Sequence, residues 1–168
     1  MRSKFNSTNT EVKKVERRIE TLREHLRHSG NFKSYRKIKA RYEELYSQYN
    51  SAKKETGFLS GYKSQKALDA VNEYYEGNHS QLSMHDSAEQ YLRDVLHERF
   101  DPKKQPSVTK WQEELAAKIV EKDALYRKYY LLKDETQKVE SIKRGVENIL
   151  KENEPRTRTK DVAKGHEI

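Results

Sequence analysis

The histidines and paired carboxylates are the side chains here whose spacing could do metal or acid–base chemistry. His25 and His28 stand three residues apart on a helical pattern, close enough to share an ion, but the sequence places no third ligand beside them. Two surface histidines are the simpler reading. His79 and His85 flank a loop-to-helix junction, and His97 stands alone near a helix end. No His-x-His pair, His-Glu-x-x-His motif or glycine-rich phosphate loop occurs. Glu43-Glu44 and Glu113-Glu114 are sequence neighbours, so on a helix they point about 100° apart and imply no cleft. None of the eleven tyrosines is marked out as a nucleophile. The residues therefore read as non-enzymatic, with no catalytic residue, metal ligand or cofactor.

Binding chemistry is better represented. The formal net charge is +8, and its placement matters more than its size. Residues 1–56 hold 15 Lys/Arg against 7 Asp/Glu, residues 57–106 hold 6 against 8, and residues 107–168 hold 14 against 12. The excess sits in the first third, where Lys33, Arg36, Lys37, Lys39 and Arg41 crowd together. Such a cluster neutralises phosphates without reading bases, and a plain solvated face is the competing reading. Phe32, Tyr35, Tyr42 and Tyr49 alternate with these cations as base-stacking platforms would. Because Tyr35, Tyr42 and Tyr49 also recur at seam spacing, core packing is the preferred reading.

The elements that must carry these residues are helical. An apolar share of 33% beside 37% charged residues, with 6 Gly and 3 Pro, suits narrow helical seams better than a thick globular core. No period-2 strand pattern recurs. The longest element is predicted from Ser107 to Asn153, between Pro106 and Pro155, a rod of about 65–70 Å. Thr109 and Gln112 are placed to form a capping box at its start. Leu125, Leu132, Val139 and Val146 recur every seven residues in it, joined by Ile142 and Ile149, a heptad seam strongest in its second half.

Upstream, Val12, Val15, Ile19, Leu22 and Leu26 step three and four, and Ser29-Gly30-Asn31 then carries the chemistry of a helix end. A second helix is expected to resume through Tyr35, Ile38, Tyr42, Leu45, Tyr49 and Ala52. After punctuation at Thr56 to Gly61, two short helices are expected at about 62–76 and 84–100. Gly77-Asn78-His79-Ser80 would separate them, and the second would stop at Asp101-Pro102. The fold class is thus all-α: an elongated antiparallel helical hairpin or coiled coil with a long C-terminal helix and a short helical hairpin at one end. Its parts are a basic helical arm at 1–56, the short hairpin and polar linker at 57–106, the long helix at 107–153, and a disordered basic tail at 154–168. Glu114 to Lys118, Asp123 to Arg127, Glu140 to Arg144 and Glu147 to Lys151 are acid-before-base pairs four apart, each worth about 0.2–0.5 kcal/mol. Trp111 with Leu115 and Ile119 is the stripe most expected to be left over for association. No apolar run reaches the ~18 residues of a membrane span, no signal-peptide core is present, and cysteine is absent. The expectation is a cytoplasmic protein without membrane contact.

One order of residues goes further. It comprises Ala88, Tyr91 and Leu92, then Pro106-Ser107-Val108-x-x-Trp111, Glu113-Glu114-Leu115, Tyr126-x-x-Tyr129-Tyr130, Lys133, Val139-Glu140 and Val146-Glu147-Asn148-Ile149-Leu150, ahead of a basic tail. It resembles the C-terminal helical region of relaxases, the mobilisation nucleases of Gram-positive conjugative and mobilisable elements; the resemblance spans most of the chain and is strongest from about Gly61 to Arg158. In that family a separate N-terminal domain nicks DNA with a tyrosine nucleophile and a histidine-bound metal. Neither that histidine cluster nor a β-rich segment to hold it is found here, so no catalytic residue carries over. The resemblance implies contact with DNA, relaxosome assembly or docking to the transfer machinery in plasmid or transposon conjugation. It also raises the expectation that the chain is a fragment of a longer relaxase or the product of a truncated gene. Lys33, Arg36, Lys37, Lys39 and Arg41 are the expected phosphate contacts. The alternative is a structural coiled-coil interaction module that touches no nucleic acid and pairs with itself or with a partner helix.

Overall fold

The computed structural model describes residues 2–153, so the tail expected at 154–168 lies outside the described residues. Three α-helices account for nearly all of them: α1 (Arg2–Lys54), α2 (Ser60–Leu96) and α3 (Thr109–Asn153), with one turn of 3-10 helix at His97–Arg99. No strand occurs among the described residues. The all-α class expected from composition is the observed one.

The chain divides into two compact units, Lys14–Lys122 and Met1–Lys13 with Asp123–Ile168. In the larger unit α1 and α2 run antiparallel, since contacts on α1 ascend as those on α2 descend. The His25 ring meets Tyr91, Phe32 meets His85, and Tyr42 meets Tyr75. The start of α3 lies along the same helix in the same sense, with Arg18 bonded to Glu114 and His25 against Trp111. Phe32, Ala88 and Leu92 form the buried centre, with Phe100 and Trp111 packed on it.

α1 does not break at Ser29-Gly30-Asn31, contrary to the expectation from those residues. The apolar stripe continues through polar ones: Leu22, His25, Ser29 and Phe32 are all buried, stepping three, four and three. His25 rather than Leu26 holds the seam position, which is the local stutter that the nine-residue gap from Leu26 to Tyr35 required. Ser29 satisfies its hydroxyl and carbonyl through Gln105, whose Nε2 donates to both at 3.1 and 3.3 Å. Phe32, which the heptad reading left off the seam, is 1% exposed and is its anchor. Tyr35, Tyr42 and Tyr49 are only half-buried.

α2 likewise runs through Gly77-Asn78-His79-Ser80, so residues 60–96 form one helix and not a short hairpin. Gly77 costs about 1 kcal/mol relative to Ala in a helix. Burying Val71, Leu82 and Leu92 on either side of it contributes about 1.5–3 kcal/mol each, and packing decides the outcome. Asn78 helps locally, with its side-chain amide donating to the Tyr74 carbonyl at 2.9 Å. The true turn lies at Gly57, where φ is +147°, a region that side chains rarely adopt. The carbonyl of Gly57 accepts from both the backbone N–H and the hydroxyl of Ser60.

α3 matches its expected bounds within two residues. Gln112 N–H donates to the Val108 carbonyl, so Val108 rather than Thr109 holds the cap position. Of the expected surface pairs, Glu114 turns across to Arg18, Lys118 reaches Glu121 at 2.6 Å, and Glu147 pairs with Lys143 at 3.7 Å.

In the smaller unit the beginning of α1 lies on α3. Phe5 stacks on Tyr129 at 4.9 Å, and a cavity of about 300 Å³ is lined by Phe5, Asn6, Lys133, Thr136, Gln137 and Glu140. Thr8 and Val12 are buried there. The cover stops at Glu140: residues 141–152 of α3 are all exposed. The second half of the heptad seam, expected to be the best packed part, is therefore uncovered. A strict seven-residue repeat drifts about 20° per heptad round a straight helix, which carries Val139 and Val146 away from the face that holds Leu125 and Leu132.

Candidate nucleic-acid interface

α1 positions all five cations singled out by charge density, and about 100° of rotation per residue scatters them. Lys33 and Lys37 are exposed on the outer face with no ion-pair partner among the described residues. Arg36 lies beside them, and its guanidinium donates to the backbone carbonyl of Lys103. Arg41 shares this side of the helix but is paired with Glu44 at 2.7 Å. Lys39 turns the other way, towards α2, where its ammonium lies 2.9 Å from Asp86 and 3.9 Å from Glu43. Burial of Lys39 opposes its charge, but the bond to Asp86 and the surrounding carboxylates outweigh that and hold its pKa above the ordinary lysine value. Lys39 is thus engaged with carboxylates of α1 and α2.

The fold adds two cations that no local pattern pointed to. The loop between the 3-10 turn and α3 folds back on α1, held by Gln105 on Ser29 and by Arg36 on Lys103. Inside the loop the Asp101 carboxylate accepts from the Lys103 N–H at 2.9 Å, and the Asp101 carbonyl accepts from the Lys104 N–H. This brings Lys103 beside Arg36 and carries the exposed Lys104 with it, the Lys104 ammonium lying 3.5 Å from the Asp101 carboxylate. The loop read as a plain polar linker because its partner is 67 residues away.

Below this face lies a cavity of about 450 Å³ lined by Arg36, Lys39, Ala40, Glu43, His85, Glu89, Pro102 and Lys103. His85, Asp86 and Glu89 bring three possible metal-ligand atoms within 4.8 Å of one another. Lys39 already supplies the positive charge there, so the group is accounted for as an ion-pair network.

His25 and His28 do not converge on a common point. His25 Nδ1 shares a hydrogen bond of 2.9 Å with the Tyr91 hydroxyl, and His28 stacks on the Tyr91 ring at 4.0 Å. The buried Nδ1 of His28 has no hydrogen-bond partner among the described residues. Burial lowers the pKa of both imidazoles, reinforced by Arg18 at His25 and by Arg27 at His28. Nearby, Arg18 grips Glu114 through two bonds of 2.6 and 2.8 Å, which lower the Glu114 pKa. These groups form a polar seam between helices, and their chemistry is packing. His79 is exposed, within reach of the Glu76 carbonyl at 3.3 Å.

Comparison with known proteins gives no match: no family model, no curated protein and no solved structure is similar to this chain. No helix among the described residues is long and apolar enough to cross a membrane.

Proposed function

We propose that this chain is a non-catalytic helical accessory module of a relaxase-like mobilisation protein, acting in the cytoplasm and contacting DNA phosphates, with relaxosome or transfer-machinery proteins as its other partners. The observation that carries the DNA contact is the grouping of Lys33, Arg36 and Lys37 on one side of α1, with the loop bonded to Arg36 through Lys103 and bearing the exposed Lys103 and Lys104. A group of long, exposed cations with no exposed aromatic side chain between them among the described residues suits the phosphate backbone and not sequence. The residues expected to matter are thus refined from the original five: Lys39 faces α2 and Arg41 is held by Glu44 at 2.7 Å, so both carry less weight, while Lys103 and Lys104 come in, Lys104 as an exposed side chain only loosely paired, 3.5 Å from Asp101.

Binding to a fluorescent duplex and a single strand across a salt series tests this reading. Affinity is expected to fall linearly in log salt, with a slope of about 0.9 per phosphate on duplex. Replacing Lys33, Arg36, Lys37, Lys103 and Lys104 together by Ala is expected to abolish binding, and each single change to reduce the slope by about one. Unchanged affinity and slope in the fivefold variant would sink the proposal. A second reading, a helical protein-interaction module with no nucleic-acid role, is favoured by the uncovered apolar stripe at the end of α3.

A further inference from the structure

From the apolar stripe left exposed on α3, we infer that a second copy of this chain covers it, the two α3 helices pairing antiparallel about a point midway between Ile142 and Val146. Val139, Ile142, Val146 and Ile149 are 46%, 67%, 50% and 58% exposed. They step three, four and three, as a two-helix seam requires. The covered face of α3, through Leu125, Tyr129, Leu132 and Thr136, lies about a quarter turn away, so a second helix fits without displacing α1.

The sequence of the stripe is complementary to itself when reversed. Antiparallel pairing centred between Ile142 and Val146 sets Val139 against the partner's Ile149 and Ile142 against the partner's Val146. All four apolar residues then match in one register. A slip of one heptad in one direction brings Glu135 opposite Val146; in the other it brings Asn153 opposite Ile142. Polar residues at these positions bound the seam and penalise both slips.

Flanking charges favour this direction. Antiparallel helices bring like flanking positions together, so Lys138 meets the partner's Glu152 twice per dimer, while the two Lys143 side chains approach across the axis. Each Lys143 already has Glu147 of its own helix at 3.7 Å. Parallel pairing would instead place Lys138 beside the partner's Lys143 twice, with no opposite charge gained. The two-fold axis passes level with residue 144, and Gly145, on the flank of the seam, lies one residue from it, where the two backbones approach. Among the described residues nothing lies within 4 Å of a Cβ built there, and a glycine inside an exposed helix costs about 1 kcal/mol relative to Ala. A facing helix gives that glycine a structural use. The surface is isologous, so the assembly closes at two copies.

The chain contains no cysteine, which permits a clean crosslinking test. Sedimentation equilibrium of the full chain over a concentration series is expected to show monomer and dimer only. Ile142→Glu and Ile149→Glu should each weaken the dimer at least about tenfold while circular dichroism stays unchanged, because both side chains are exposed in the single chain. Under oxidising conditions Gly145→Cys should give a covalent dimer and Val139→Cys should not, since the two Val139 positions lie ten residues apart along the antiparallel pair. The inference is overturned by a monomer at concentrations up to about 1 mM or by a dimer indifferent to both glutamates. It is equally overturned by larger species, or by crosslinking through Val139→Cys in preference to Gly145→Cys. None of these results depends on DNA binding, so this inference and the proposed function fail separately.

Discussion

Two stretches of helix carry aliphatic residues at the same three-and-four spacing, and they meet different fates. On α1, Val12, Val15, Ile19 and Leu22 are all buried; on α3, Val139, Ile142, Val146 and Ile149 are all about half exposed or more. Periodicity defines a face, and only a neighbour makes it a core. The α1 stripe is met by the other helices, and its polar continuations at His25 and Ser29 are bonded by Tyr91 and Gln105. The α3 stripe lies about a quarter turn from the face that α1 covers, and residues 141–152 are exposed. The same pattern that stabilises the fold in one place is a binding surface in the other.

The largest test of this contrast is truncation. Leu22→Ala is expected to cost about 2–5 kcal/mol and Phe32→Ala about 3–5 kcal/mol, read by urea unfolding in dilute solution. Ile142→Ala should change stability by less than about 0.5 kcal/mol under the same conditions. Equal losses would show that the α3 stripe is buried after all and erase the distinction.

Acid should separate the two regions more gently. His25 and His28 lie in the buried seam, facing Arg18, Glu24, Arg27, Tyr91, Trp111 and Glu114, whereas no histidine lies between 139 and 152. Both imidazoles have folded pKa values below their ordinary value because burial disfavours the charged form. The unfolded chain therefore takes up protons first. Their contribution to stability is present above about pH 6.5 and is lost as pH falls below that towards the lowered folded values. Glu114, whose folded pKa is also lowered, adds its loss only further down, in the carboxylate range. The single tryptophan, Trp111, lies 4.9 Å from His25 and reports the change by fluorescence. A His28→Phe variant, which removes the orphaned ring nitrogen and keeps the stack on Tyr91, should flatten the unfolding midpoint between pH 7 and 5. An unchanged pH profile in that variant would mean that His28 is not a source of the acid sensitivity.

The smallest effect is expected from glycine. A Cβ at Gly30 or at Gly145 meets nothing within 4 Å, so alanine at either site should favour helix by up to about 1 kcal/mol. For Gly30→Ala the gain should appear in the unfolding midpoint, because α1 there is part of a packed unit. For Gly145→Ala in dilute solution it should appear only as added helicity by circular dichroism. A raised unfolding midpoint in the Gly145 variant would place the end of α3 inside the cooperative core.

How far the fold was legible depended on whether the deciding signal was local. Prolines at 106 and 155 bracket α3, and its bounds followed from them. Ser29-Gly30-Asn31 and Gly77-Asn78 misled because turn chemistry is local while the burial that overrides it comes from a helix tens of residues away. The basic face was legible in part. Charge density found Lys33, Arg36 and Lys37, but rotation round the helix removed Lys39, and Glu44 claimed Arg41. Lys103 and Lys104 carried no signal, since only chain topology returns their loop to α1. That a heptad seam existed on α3 was readable, but whether it had a partner was not.

A purely aliphatic helix pair can slide by seven residues and find nearly the same contacts, so it has several nearly equivalent alignments. The polar members of the α1 seam remove that degeneracy. Shifting α1 by one heptad would part His25 from Tyr91, Ser29 from Gln105 and Lys39 from Asp86 at once, leaving the buried His25 and Ser29 without their partners. These three contacts work as a key: they contribute little to the depth of the native well, but they single out one alignment among the many that hydrophobicity alone would accept.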